Sequence, residues 1–139
     1  MGSIEPSPER IQELLEGADD APIVMINLLR FRARAEYPEG FAAEPCTGRE
    51  AYGRYGAGVI QLISASGGRV LWMGSVQTTV IAPDGEQWDD AVLVEYPSRK
   101  AFVEMVSKPE YLAVAAHRTA ALEDSRLIAT TTGANLLEP

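Results

Sequence analysis

The sequence holds one histidine, His117, and histidine is the side chain whose ordinary pKa lies nearest neutral pH, so His117 is the first candidate for a general acid or base. Asp89 could orient it and stabilise its charged form if the chain brings the two together. The plainer reading is a hydrogen-bonded histidine on a helix surface. Arg118 falls on one helical stripe with Tyr111, Val114 and Ala115. An inward-pointing arginine commonly holds a carboxylate, which here could belong to Glu95, Asp89 or a substrate, a structural ion pair being the plainer case. Arg30 poses the same question at the end of an apolar run, against a simple solvated strand end.

That run, from Pro22 to Phe31, carries Asn27 in its middle. An unpaired polar group in a protein interior costs about 1–3 kcal/mol, so Asn27 and Arg30 must find partners or face a cavity. Asn27 shares strand parity with Met25 and Leu29; on an inward face its amide could orient a bound carbonyl or oxygen, or make a buried structural hydrogen bond. Tyr52 and Tyr55 lie three apart on one helix face, where ring packing and a phenol in a cavity are the two readings. Trp72 and Trp88 read as core or rim aromatics.

A single histidine and a single cysteine, Cys46, cannot furnish the usual metal clusters. The sequence also lacks a nucleophile elbow, a phosphate loop and a dinucleotide fingerprint. Neither metal nor cofactor is therefore expected. Twelve Lys and Arg against 20 Asp and Glu give a net charge of -8, which repels phosphate backbones and anionic headgroups and makes nucleic acid and membranes poor partners. The lone cysteine and the absence of a secretory pattern at the start point to the cytoplasm. The 139 residues suffice for one domain with a real core.

The elements that must position these residues follow from periodicity. Ser7-Pro8-Glu9 reads as a helix start, with Ile11, Leu14 and Leu15 at helical spacing. Residues 22–31 form the first strand, near-continuously apolar as if covered on both faces. Residues 32–46 lack periodicity and, at about fifteen residues, reach the length at which a loop is a functional lid or a surface excursion. Thr47-Gly48-Arg49-Glu50 has capping-box spacing and opens a helix ending at Gly67-Gly68; Gly53, Gly56 and Gly58 within it suggest a close neighbour. Residues 69–81 and 88–96 form a hairpin. Pro97-Ser98 caps a helix that Pro109 breaks and a second capping box, Ser107-Lys108-Pro109-Glu110, restarts. Residues 126–131 are the last strand, and a loose tail holds Asn135 and Leu137.

The order is α+β, a ferredoxin-like βαββαβ split with an extra N-terminal helix and a four-stranded antiparallel sheet. The expected division is an N-terminal extension at 1–21, the barrel domain at 22–131 and a tail at 132–139. With both helices on one sheet face, the other face would stay apolar and open, so a second copy is the expected cover, the pair forming a dimeric α+β barrel with a cavity in each half.

Asn27-Leu28-Leu29-Arg30-Phe31, Gly48-Arg49-Glu50-Ala51-Tyr52 with Tyr55, Trp88-Asp89, Glu95-Tyr96-Pro97-Ser98, and Pro109-Glu110-Tyr111 with His117-Arg118 together resemble the family known as domain of unknown function 1330. The family's Ser-Pro-Glu-Tyr pattern appears one residue longer, as Ser107 to Tyr111, and residues 32–46 look like its longer-loop branch. The resemblance implies the dimeric α+β barrel superfamily, which includes cofactor-free monooxygenases, haem-degrading enzymes, muconolactone-type isomerases and ligand-sensing domains; the fold does not choose among them.

The expectation is thus a homodimer that binds a small aromatic or carboxylated metabolite. Arg118 and Arg30 would anchor its anion, Asn27, Tyr52, Tyr55 and Trp88 would line the site, and His117 with Asp89 would carry cofactor-independent oxygenation or isomerisation. The alternatives are a non-catalytic ligand-binding or sensing dimer and a structural domain whose own side chains fill the cavity. Haem binding is less favoured, because the separation of Trp88 from His117 departs from the haem-degrading pattern.

Overall fold

Ser7 accepts a hydrogen bond from the Arg10 amide and Pro8 occupies the first turn, so the chain opens into α1 (Pro8–Leu15). A computed structural model describes residues 2–17 and 20–134; the tail expected around Asn135 and Leu137 lies outside the described residues. After α1 come β1 (Ile23–Phe31), α2 (Gly48–Ala65), β2 (Arg69–Ser75), β3 (Asp90–Tyr96), α3 (Arg99–Val106), α4 (Pro109–Ala121) and β4 (Leu122–Thr130). The sheet order is β2-β3-β1-β4, with every neighbouring pair antiparallel, which is the ferredoxin-like arrangement. No helix among the described residues is long and apolar enough to cross a membrane.

Parity decides the layers. Ile23, Met25 and Leu29 of β1 and Val92, Val94 and Tyr96 of β3 are buried with Ala51, Val59 and Ile63 of α2, Phe102 and Met105 of α3 and Ala121 of α4. All the core therefore lies on one face of the sheet. On the alternate parity, Trp72, Leu93, Ile26 and Ile128 are in register across the four strands, and Trp72 and Ile128 are 54% and 49% exposed. The near-continuous apolar character of β1 thus serves a core on one side and an open apolar face on the other.

The Thr47 capping box is present: the Thr47 hydroxyl accepts from the Glu50 amide and the Glu50 carboxylate from the Thr47 amide. Those bonds hold the Glu50 carboxyl below its usual range. The second capping box does not form. Ser107 ends α3 instead, its hydroxyl donating to the Val103 carbonyl, and α4 starts at Pro109, with Lys108 at the cap position making no side-chain cap bond.

Two strand boundaries also differ from the sequence pattern. β2 stops at Ser75 rather than Ile81, because the ladder closes with Val76 N donating to Asp89 O and the residues beyond have no facing strand; Val80 and Ile81 are almost fully exposed. β4 begins at Leu122, four residues before Arg126. Glu123 and Asp124 masked that start, yet Leu122 and Ser125 are buried and the charged pair is matched by Arg30 and Arg126. Of the three helix glycines only Gly58 meets a neighbour, Val114; a side chain at Gly53 or Gly56 would enter open space.

Candidate functional site

α2 and α4 lie side by side, and the loop between β1 and α2 is tied over their ends. Arg32 and Glu36 donate their amides to the Ala121 and Ala120 carbonyls, and Ala35 donates to Cys46 O. This places Tyr37 against α4, with its hydroxyl 2.6 Å from His117 Nδ1. Arg54 of α2 donates to the same hydroxyl at 3.1 Å and to the Glu44 carbonyl. A guanidinium can only donate, so the phenol accepts from Arg54, and its second bond, to Nδ1, runs in the direction the imidazole tautomer sets. Phe41 stacks on Tyr37 with ring centres 5.2 Å apart and meets His117 edge-on at 5.5 Å. Burial lowers the His117 pKa, and the Arg54 charge lowers it further.

Asp89 is engaged elsewhere. Its carboxylate accepts the Phe31 amide at 2.8 Å and its own amide donates to Leu29 O, so it clamps the end of β1 instead of orienting the histidine.

A second cluster lies on the sheet side of the helices. Tyr52 packs 5.4 Å from Phe31 and 5.3 Å from Tyr55, and the Tyr55 hydroxyl is 3.1 Å from that of Tyr111. Burial pushes the Tyr52 phenol up to about 12 and the Tyr55 phenol well above its usual value, against the opposing field of Arg118. Among the described residues Arg118 makes one hydrogen bond, to the Ile4 carbonyl, and no ion pair. The two carboxylates considered for it within the chain are taken, Asp89 by the Phe31 amide and Glu95 by Arg69 at 3.0 Å.

The remaining candidates are dispersed. Asn27 faces the helices with Met25 and Leu29, but its amide donates to the Val92 carbonyl at 3.3 Å. Arg30 points the other way and pairs with Glu123 at 2.9 Å. Trp88 lies under the Arg126 guanidinium, 5.0 Å from its ring centre, and its buried indole N–H has no hydrogen-bond partner among the described residues. The fold therefore joins Tyr52, Tyr55 and Arg118, and holds His117 on a different side of α4.

Tyr37, Arg54 and Tyr111 were not singled out from sequence. Tyr37 sits in an aperiodic loop and Arg54 on the outer face of α2, where no spacing signal exists. Tyr111 was visible as a stripe partner of Arg118, and that was the usable clue. Among the described residues no three His, Cys, Asp or Glu side chains lie close enough to share a metal ion.

No curated protein matches the chain. It is 39% identical to a solved protein of unknown function from Rhodopseudomonas palustris, RPA0582, with 97% of this chain and 100% of that one covered and a TM-score of 0.88. A dimeric ferredoxin-like protein of unknown function from Bacteroides fragilis matches at 13% identity, over 80% and 96% of the two chains, with a TM-score of 0.51. The hydroxynitrile lyase from Passiflora edulis matches at 11% identity, over 85% and 99%, with a TM-score of 0.52. These last two share the fold alone. Residues 42–132 match the family described as a domain of unknown function, DUF1330, and the chain belongs to that family.

Proposed function

We propose that the protein is a homodimeric α+β barrel that binds a small carboxylated, aromatic metabolite within each protomer, between α2, α4 and the sheet, with Arg118 as the anion anchor. The observation that carries this reading is Arg118 itself: a half-buried guanidinium beside buried phenols, holding a backbone carbonyl and, among the described residues, no carboxylate. A partly desolvated cation without a counter-charge is costly, and a ligand carboxylate offers it a two-pronged partner. The Tyr55 and Tyr111 hydroxyls share one hydrogen bond between two protons, which leaves one proton free to donate to a ligand oxygen. The Tyr52 ring, tilted at 55° to Phe31, offers aromatic surface to a ligand ring, while Phe31 packs beneath the Arg49 guanidinium.

The dimer is supported by the open apolar row Trp72, Leu93, Ile26 and Ile128, a face that soluble chains generally cover, and by the dimeric state named for the Bacteroides fragilis neighbour. A cytoplasmic setting suits a buried, unpaired Cys46 thiol.

A catalytic reading is favoured by one observation, the Arg54–Tyr37–His117 chain, which fixes the imidazole in place beside a cation that favours its neutral form. In that reading His117 moves a proton in a cofactor-independent isomerisation or oxygenation. Without turnover the protein is a ligand-binding or sensing dimer, and the clamping of His117 between Tyr37 and Phe41 suits that case.

Calorimetric titration with benzoate tests the binding reading. Wild-type protein should bind it, Arg118→Gln should bind about tenfold more weakly or worse, and Arg118→Lys should recover part of the loss. Equal benzoate affinity in wild type and Arg118→Gln would overturn it.

A further inference from the structure

The N-terminal arm lies on Arg118. Ser3 donates its amide to Asp124 at 2.9 Å and accepts from the Ser125 hydroxyl; Ile4 accepts from Arg118; the Glu5 carboxylate accepts from the Thr119 hydroxyl at 3.0 Å. The arm then continues into α1, which buries no residue fully. Between α1 and the sheet is a cavity of about 410 Å³ walled by Ile11, Leu14, Met25, Phe102 and Leu127. That volume lies within the range of small-molecule sites, and the wall, open to solvent on one side, is mostly apolar with Arg10 and Glu13 in it. Pro6 also lines it, two residues from Ile4, a span of at most about 7 Å of extended chain.

The same arm thus covers two things at once: an arginine with no counter-ion among the described residues and a largely apolar space that α1 leaves unfilled. Arg10 and Glu13 line the cavity too and their charges cancel, so the sign of any ligand is set by Arg118.

We infer that residues 2–15 are a lid over an elongated site. An apolar carboxylate lays its body in the cavity beneath α1 and places its head on Arg118, displacing the Ile4 carbonyl. The inference rests on the proposed Arg118 site and adds to it the tail compartment, the ligand's shape and the route of access. Because the Ile4 carbonyl competes for the guanidinium, loosening the arm should strengthen binding rather than weaken it.

Octanoate, octanol and benzoate are the probes, titrated calorimetrically against the full chain. The inference expects octanoate to bind about tenfold or more tightly than octanol, with Arg118→Gln erasing that preference. Ala129→Phe, or Ile11→Phe from the helix side, should abolish octanoate binding while the thermal melt stays cooperative. Ser125→Ala, which removes one of the two bonds on Ser3, should tighten octanoate binding by about threefold. If benzoate binds in an Arg118-dependent way while octanoate does not, or if both cavity-filling variants bind octanoate normally, the lid and tail compartment are wrong and the anion site stands. If neither carboxylate responds to Arg118→Gln, both readings fall together.

Discussion

The Tyr37 hydroxyl lies 2.6 Å from His117 Nδ1, and Arg54 donates to that same hydroxyl. One phenol therefore joins the loop, α2 and α4. The arrangement keeps His117 neutral for two reasons, its burial and the Arg54 charge beside it.

Removing that charge should be visible in the imidazole. Arg54→Gln is expected to raise the His117 pKa toward 6.5, read from the imidazole proton shifts in an NMR titration. The sign for stability follows. With the folded pKa below the unfolded one, the contribution of His117 is complete above about pH 6.5 and is lost as pH falls through the folded value, because the unfolded chain binds the proton first. Melts across that window should show the wild type losing stability on acidification more than His117→Gln.

Gly58 is needed where α2 meets α4. A methyl group there would lie 2.5 Å from Val114 Cγ1, and valine has little rotamer freedom in a helix with which to yield. Gly58→Ala should destabilise by about 1–3 kcal/mol despite its better helix propensity. Gly53, with nothing nearby, should gain about 0.5–1 kcal/mol on the same substitution. Denaturant unfolding of the two variants checks the contrast; equal effects would refute the close packing of the helices.

Asp124 holds the start of the N-terminal arm. Burial pushes its carboxyl up, but hydrogen bonds from the Ser3 and Ser125 amides and from Arg126 bring it below 3.8 overall. Its contribution should be present above about pH 3.8 and lost as pH falls through the lowered value. Protection of the Ser3 amide against exchange, relative to the unfolded chain at the same pH, should fall there, and Asp124→Asn should lower that protection already at neutral pH.

Trp72 stands in the open row of the sheet, 54% exposed. Trp72→Glu places a charge where the second copy would pack, and sedimentation should show a monomer in place of the wild-type dimer. A wild type that stays monomeric at high concentration would remove the dimer from this account.

Much of the fold was legible because its signals are local and periodic. Thr47 and Glu50 announced a helix start, Pro109 a break, and the apolar run at Ile23 to Phe31 a central strand. What failed was what pairing decides. Glu123 and Asp124 look like loop residues until β4 is seen against β1, and Val80 and Ile81 look like strand residues although no strand faces them. In the site, Tyr52, Tyr55 and Arg118 share stripes that a helical count reveals. The partner of His117 comes from an aperiodic loop eighty residues away in sequence, and no spacing rule reaches it.

The most direct test of the central claim is to follow the arginine Nε–H resonances of the full chain by NMR as benzoate is added, with Arg118→Gln used to assign the Arg118 signal. The account expects the Arg118 resonance to move in a saturable way as its partner changes from the Ile4 carbonyl to the ligand carboxylate. An Arg118 resonance that stays fixed while benzoate saturates another part of the protein would contradict it.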